Sequence, residues 1–280
     1  MLDMAENDFA VKAGHRAMWM LGDYSKVARD VLSPLGREVV EACGIRPGQR
    51  VLDVAAGSGN AAIPAAEAGA TVVASDLAPE LLDVARQEAA GRGVRLKAVE
   101  ADAELLPFDD DEFDVVMSCI GAMFAPHHQR VADEMVRVSR PGGTIGMINW
   151  AVEGSIAEFL QVFVPYLPPL PPGASPPVLW GDAGYVSDLF GDRVEGFEMS
   201  PPRSLRVDHF ADPAEFCAYY KAHFGPTIAA YAGIAADPER VAALDRDFLE
   251  YARRRNRAPA GSPAVFGYDY VVVTARKRTG

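Results

Sequence analysis

The sequence predicts an α/β fold, a doubly wound, mostly parallel sheet with a helical cap. Three observations predict it. Between residues 50 and 150 short apolar runs alternate with helical patterns, the rhythm of parallel strands joined by crossover helices. The first run, Arg50-Val-Leu-Asp-Val-Ala-Ala56, is apolar enough for a strand covered on both faces. After Trp150 the rhythm breaks into prolines and aromatics, which sets an irregular cap behind a regular core.

Taken in order, residues 9–43 read as helical and precede the core. The strand at 50–56 enters a Gly-rich turn, then a helix over 60–67 that stops at Gly69. Pro64 has no N–H and fits only near that helix's start. Residues 71–75 form a second strand ending at Asp76. Pro79 opens the next helix, and Gly91 and Gly93 close it. Residues 94–100 and 113–120 read as the third and fourth strands. A helix over 129–139 ends at Pro141-Gly142-Gly143, and 144–150 is the fifth strand. Beyond it, a helix over 155–164 runs into a stiff, polyproline-like crossing. Residues 182–190 read as a short helix and 194–207 as a strand interrupted at Pro201-Pro202. Residues 212–223 and 238–255 read as helices, and 265–275 as a β-branched, aromatic strand. The expected organisation is one domain over 1–280. It has a helical lid over 1–45, a core over 46–150, a helical and loop cap with a sixth strand over 151–264, and a final strand over 265–280.

Composition bounds the function. A chain of 280 residues with 49% apolar and 24% charged residues buries a core without disulfide or metal staples. Residues 1–150 carry 14 basic against 23 acidic side chains, and residues 151–280 carry 13 against 16. That balance excludes a general nucleic-acid binder, which needs a basic face. Cys43, Cys119 and Cys217 form no Cys-x-x-Cys pair, so neither a metal site nor a disulfide framework is expected, and a reducing cytoplasm is the natural compartment. The charge-free stretch 159–181 holds seven prolines and cannot be a continuous membrane helix. The N-terminus lacks the apolar core of a signal peptide, and a soluble protein with no membrane partner is expected.

The strongest local motif is Asp53-Val-Ala55-Ala-Gly57-Ser58-Gly59-Asn60, between a strand and a helix. Its glycines let backbone N–H groups approach a ligand, and the helix behind supplies partial positive charge. A Gly-x-Gly turn also serves dinucleotide enzymes, or merely joins β to α. Asp76 follows 17 residues after Gly59, where a carboxylate accepts both hydroxyls of an adenosine ribose; it also suits a helix N-terminus ahead of Pro79. Asp102 is placed to accept from an adenine amino group, with Ala103 and Leu105 against the ring, or to cap a turn. Acidic positions at the ends of three consecutive strands match the place where parallel sheets bind ligands.

These residues, with Leu106-Pro-Phe-Asp-Asp-Asp-Glu-Phe-Asp-Val-Val116 and Glu134-Met-Val-Arg-Val-Ser-Arg-Pro-Gly-Gly143, span about residues 50–150. In them the chain resembles the class I S-adenosylmethionine-dependent methyltransferases of the small-molecule type. The resemblance implies a seven-stranded, Rossmann-like sheet whose final strand, 265–275, runs antiparallel. It implies that Asp53 and the Gly57-Ser58-Gly59 turn hold the methionine end, Asp76 the ribose and Asp102 the adenine, with Ala55, Asn60, Leu77 and Ala103 completing the set. Ser118, Cys119 and Ile120 then line the floor beside the sulfonium, and S-adenosylhomocysteine is the product. An N-terminal segment is expected to close over the cofactor through Trp19, Tyr24 and Lys26, with Tyr24 reaching its carboxylate; for Trp19 an ordinary core contact is the alternative.

Methyl transfer from a sulfonium needs alignment and exclusion of water more than a covalent nucleophile. Where the acceptor must lose a proton, His127 and His128 are the base candidates, since a helix N-terminus favours neutral imidazole; capping or solvent exposure is the alternative for each. Trp19, Tyr24, Trp150, Tyr166, Tyr220 and His223 are expected around the acceptor. The cap is rich in aromatics and poor in charge, which suits a small, apolar or aromatic metabolite of secondary metabolism. One rival is an NAD(P)-dependent oxidoreductase, against which stand Ala62 at the third glycine position and the lack of any Tyr-x-x-x-Lys pair. Another is a protein that binds the same cofactor without catalysis, or for a different reaction. Oligomeric state is not legible in the sequence.

Overall fold

The computed structural model describes Leu2–Gly280, with side chains described from Ala10 onward. In chain order it comprises α1 (Leu2–Trp19), α2 (Tyr24–Val27), α3 (Ser33–Ala42), β1 (Arg50–Val54), α4 (Ala62–Glu67), β2 (Thr71–Asp76), α5 (Pro79–Gly91), β3 (Lys97–Glu100), β4 (Phe113–Cys119) and α6 (His128–Val138). There follow β5 (Ser139–Trp150), α7 (Ser155–Phe163), α8 (Ala183–Phe190), β6 (Val194–Met199), β7 (Arg203–Phe210), α9 (Pro213–His223), α10 (Gly225–Ile234), α11 (Pro238–Arg255) and β8 (Ala264–Lys277).

The strands lie in the order β3-β2-β1-β4-β5-β8-β6, with β7 also paired to β8, so the sheet has eight strands where seven were expected. β1, β2, β3, β4 and β5 pair in parallel with one another, and β8 runs antiparallel to both β5 and β6. In register across the centre, Asp53 of β1 faces Ala74 of β2 and Met117 of β4. The carboxyl ends of three strands therefore meet on one edge, where an α/β sheet opens to ligands.

Two boundaries moved for identifiable reasons. β3 starts at Lys97, because Val94 gives its N–H to the Ala89 carbonyl and closes α5 through left-handed Gly93. β5 starts at Ser139, because Pro141-Gly142-Gly143 is extruded as a bulge between the Ser139–Phe113 and Thr144–Val115 pairs. The expected helices at 182–190 and 212–223 instead take Asp182 and Asp212 as N-caps. Asp182 accepts the Tyr185 N–H, and Asp212 accepts the N–H groups of Ala214 and Glu215. Helix α10 had no signal: its ten residues are apolar all round and show no period.

The chain separates into two compact units. One is the chain up to Val27, with Glu153–Pro172 and Ser204–Asp269; the other is Ala28–Val152, Gly173–Arg203 and Tyr270–Gly280. Residues 28–45 and 173–203, read from sequence as lid and cap, thus belong to the unit that carries the parallel strands. The first unit has an aromatic interior, in which Phe159 meets Phe163 at 5.1 Å and Tyr220 at 5.2 Å between ring centroids. Among the described residues, no helix is long and apolar enough to cross a membrane.

Candidate active site

The turn after β1 places Ala55, Gly57 and Gly59 in left-handed conformations. Gly57 has φ 53° and Gly59 has φ 89°, where a Cβ on Gly59 would crowd Ile63 and Ala85. Ala55 also stands at φ 55° and Ile120, after β4, at φ 65°; for an L-residue this costs about 1–2 kcal/mol. Close packing holds them there. A Cβ on Gly121 would overlap the Ala55 carbonyl oxygen, and Ile120 gives its N–H to the Ile148 carbonyl at 2.8 Å. The Ser118 hydroxyl donates to the Val54 carbonyl at 2.7 Å and accepts the Ala122 N–H at 3.0 Å, so it shapes this floor from within the protein. Ile120 was expected on this floor, whereas Gly121 was not picked out in the sequence, which offers only an Ile-Gly dipeptide as a signal.

Carboxylates surround the turn. Asp76 Oδ2 accepts the Gly57 N–H at 2.8 Å, and its Oδ1 accepts the Ala78 N–H at 2.9 Å. Burial raises the Asp76 pKa, against the pull of those N–H groups. Asp102 Oδ1 accepts the Glu104 N–H at 2.9 Å in a side-chain turn. Asp76, Leu77, Asp102 and Ala103 are all half-buried along this edge, as are Ala55, Ser58 and Asn60, while Leu105 is 75% exposed. Asn60 gives one amide to the Leu32 carbonyl at 3.0 Å and lies 3.7 Å from the Cys119 sulfur. The Cys119 thiol is held neutral, its pKa raised by burial and then by the charge of Asp53.

Asp53 differs from its neighbours. It is 1% exposed, and neither of its oxygens has a hydrogen-bond partner among the described residues. Burial pushes its carboxyl up to about 8, and the Asp76 charge adds to this, while the Ala62 N–H pulls the other way without completing a hydrogen bond.

The two histidines separate cleanly. His128 is 1% exposed, packed against Trp180 at 5.4 Å and Tyr185 at 5.8 Å between ring centroids, with its Nδ1 3.1 Å from the Tyr185 hydroxyl. Burial pushes it down to about 4. His128, offered by the sequence as a base candidate, thus sits in the core, closed off from solvent. His127 is half-buried and bonded twice to buried Glu104: its N–H donates to Oε1 at 2.8 Å, and its Nδ1 lies 2.9 Å from Oε2. That pairing assigns the ring proton to Nδ1 and makes Nε2 the acceptor nitrogen. Glu104 was not among the expected site residues.

A second pair explains why two sequence segments occur together. Glu134 Oε2 accepts the Leu106 N–H at 2.6 Å, and Arg137 donates to the Leu106 carbonyl at 3.0 Å and the Phe108 carbonyl at 2.8 Å. Helix α6 thereby pins the segment that follows Asp102.

Of the expected acceptor residues, Trp150 lies buried in β5 of the sheet-bearing unit. The others belong to the aromatic unit. Trp19 packs edge-on against Tyr24 at 5.4 Å and Phe224 at 6.0 Å. His223 takes the Asp23 N–H on its carbonyl at 3.1 Å and sets its ring 4.9 Å from Tyr219, and Tyr166 donates to Asp247. Tyr220 is buried with its hydroxyl 2.6 Å from that of Tyr268, a packing position rather than an open one.

Residues 51–143 match a family described as a methyltransferase domain. Two uncharacterized proteins of Mycobacterium tuberculosis are 48% and 50% identical to the chain, covering 98% and 94% of both partners respectively. A demethylmenaquinone methyltransferase of Renibacterium salmoninarum is 37% identical over half of this chain and 60% of its own. Among solved structures, the YcgJ protein of Bacillus subtilis aligns at TM-score 0.59 and 19% identity over 88% of this chain and 99% of its own. The [4+2]-cyclase SpnF aligns at 0.57 and 21%, over 89% and 82%. A phosphoethanolamine N-methyltransferase of Haemonchus contortus solved with S-adenosylmethionine shares the fold at TM-score 0.52 and 18% identity, over 87% of this chain and 52% of its own. Over residues 51–143 the chain belongs to the methyltransferase-domain family.

Proposed function

We propose that the enzyme methylates a small, largely apolar or aromatic metabolite of the natural-product type by in-line displacement. The observation that carries the assignment of the cleft is Asp53: a buried carboxylate with no donor, behind a turn of left-handed residues, fits the cationic amino-acid end of the cofactor. Bound there, S-adenosylmethionine supplies an activated methyl group on a sulfonium. On this reading Gly57, Ser58 and Gly59 admit the methionyl end without side-chain obstruction, and Asp76 serves the ribose with the lone pairs its two N–H bonds leave. Asp102 and Ala103 meet the adenine, and Ser118 and Cys119 form the floor. His127, oriented by Glu104, takes a proton from the acceptor at Nε2 where one must leave. The aromatic richness and low charge of the segment after Trp150 favour an apolar acceptor.

The test is calorimetric titration with S-adenosylhomocysteine, S-adenosylmethionine and NADH, followed by mass spectrometry of a panel of small apolar, aromatic and polar acceptors. Binding of the first two alone and a methyl gain on apolar or aromatic acceptors is the expected result. Methyl gain confined to nucleic acid or protein, or no methyl gain despite tight binding, overturns the substrate reading.

A further inference from the structure

Asp53 is buried and neither of its oxygens has a hydrogen-bond partner among the described residues, so the charge of an ionised Asp53 is poorly compensated. From β2, Asp76 brings a second carboxylate. From β4 and from the end of α3, Cys119 and Cys43 bring thiols that burial keeps protonated, Cys43 being pushed up to about 12. Glu38 of α3 also acts on Cys119, and is engaged by Arg203 and the Tyr270 hydroxyl. The Ala62 N–H at the start of α4 sets a favourable dipole against them. A carboxylate held in such surroundings is strongly disfavoured, whereas the carboxylic acid is tolerated.

We propose that Asp53 is protonated in the cofactor-free protein and ionises when a cationic methionyl end is bound, so that the cleft selects its cofactor by that charge and releases a proton on binding. This rests on the cofactor placement of the proposed function. The Asp53 O–H bond breaks, its electron pair stays on the carboxylate, and the proton passes to the buffer; no bond of the ligand changes. A carboxyl pushed up to about 8 is predominantly protonated at neutral pH, so the proton is there to be released.

Calorimetry at pH 7 with S-adenosylhomocysteine, in phosphate and in Tris, measures the protons exchanged on binding. The expected result is release approaching one proton per site, with affinity rising by up to about tenfold per pH unit between pH 6 and 7. In Asp53→Asn both effects vanish. On the wild-type protein 5′-methylthioadenosine, which keeps the adenosyl thioether but lacks the amino-acid end, binds without proton release, and this arm decides the matter even if the variant does not fold. Release of the same proton by methylthioadenosine, its persistence in Asp53→Asn, or its absence with S-adenosylhomocysteine overturns the proposal while leaving the cofactor assignment standing. Failure of S-adenosylhomocysteine to bind overturns both.

Discussion

The Asp76 carboxylate accepts the Gly57 N–H at 2.8 Å, tying the end of β2 to the turn that follows β1. The same side chain accepts the Ala78 N–H, so it both shapes the turn and opens the next helix. Asp76→Ala removes two charge-assisted hydrogen bonds, each worth roughly 1.5–3 kcal/mol at most. Affinity for S-adenosylhomocysteine is expected to fall at least about tenfold, with a lower unfolding midpoint. Unchanged affinity by calorimetry would take the ribose away from Asp76.

Ala55 and Gly121 report on strain. Ala55→Gly frees a left-handed position and is expected to raise stability by up to about 1 kcal/mol. Gly121→Ala drives a Cβ into the Ala55 carbonyl and is expected to lower it by about 2–3 kcal/mol. Because the obstacle is backbone, the double variant recovers little. Urea denaturation of the three variants measures this, and full recovery in the double variant would place the clash elsewhere.

His128 makes stability fall in acid. Its folded pKa, about 4, lies below the ordinary 6.5, so the unfolded chain takes up the proton first. The contribution is complete above pH 6.5 and is lost as pH falls toward 4, by no more than about 3 kcal/mol. His128→Gln should flatten the stability profile across that window. A slope identical to the wild type would mean that His128 is not the titrating group.

Asp53 tilts the profile the other way. Its folded pKa of about 8 lies above the unfolded carboxylate value, so stability is fully present below about pH 4 and is lost as pH rises through 8. Asp53→Asn is therefore expected to gain on the wild type between pH 5 and 9, by several kcal/mol at most. Equal shifts of the urea midpoint at both pH values would rule this out.

Arg137 binds Glu134 and two carbonyls of the segment after β3. Arg137→Met leaves a largely buried carboxylate without its partner and is expected to cost about 3 kcal/mol. Limited proteolysis should then cut near residues 106–112 first. Arg137→Lys, which keeps the charge but not the planar fork, should fall between the two.

The alternation of apolar strands and helices, Pro79 at a helix start and Gly93 at a helix end were all legible, because each depends on residues close in sequence. So was the set Asp53, Gly57, Gly59 and Asp76, whose spacing follows strand, turn, helix, strand. Helix α10 was not legible, because its apolar residues lie on exposed as well as buried faces and leave no periodic contrast to read. Nor was the extrusion of Pro141-Gly142-Gly143 from β5, which answers to β4 pairing on both sides of it.

His127 and His128 show where sequence stops. They are adjacent, alike in type and at the same helix end, yet one is bonded to Glu104 and the other packed against Trp180. By itself the sequence determined the fold class and the glycine turn after β1, since periodicity and glycine placement are local properties of the chain. Tertiary structure alone decided which carboxylate lacks a donor, which imidazole is buried and which glycine a neighbouring carbonyl excludes from growing a side chain. Burial and pairing are set by every group that folding brings near. The partners that matter here, Cys43 and Cys119 to Asp53, Glu104 to His127 and Gly121 to Ala55, are separated along the chain by many residues.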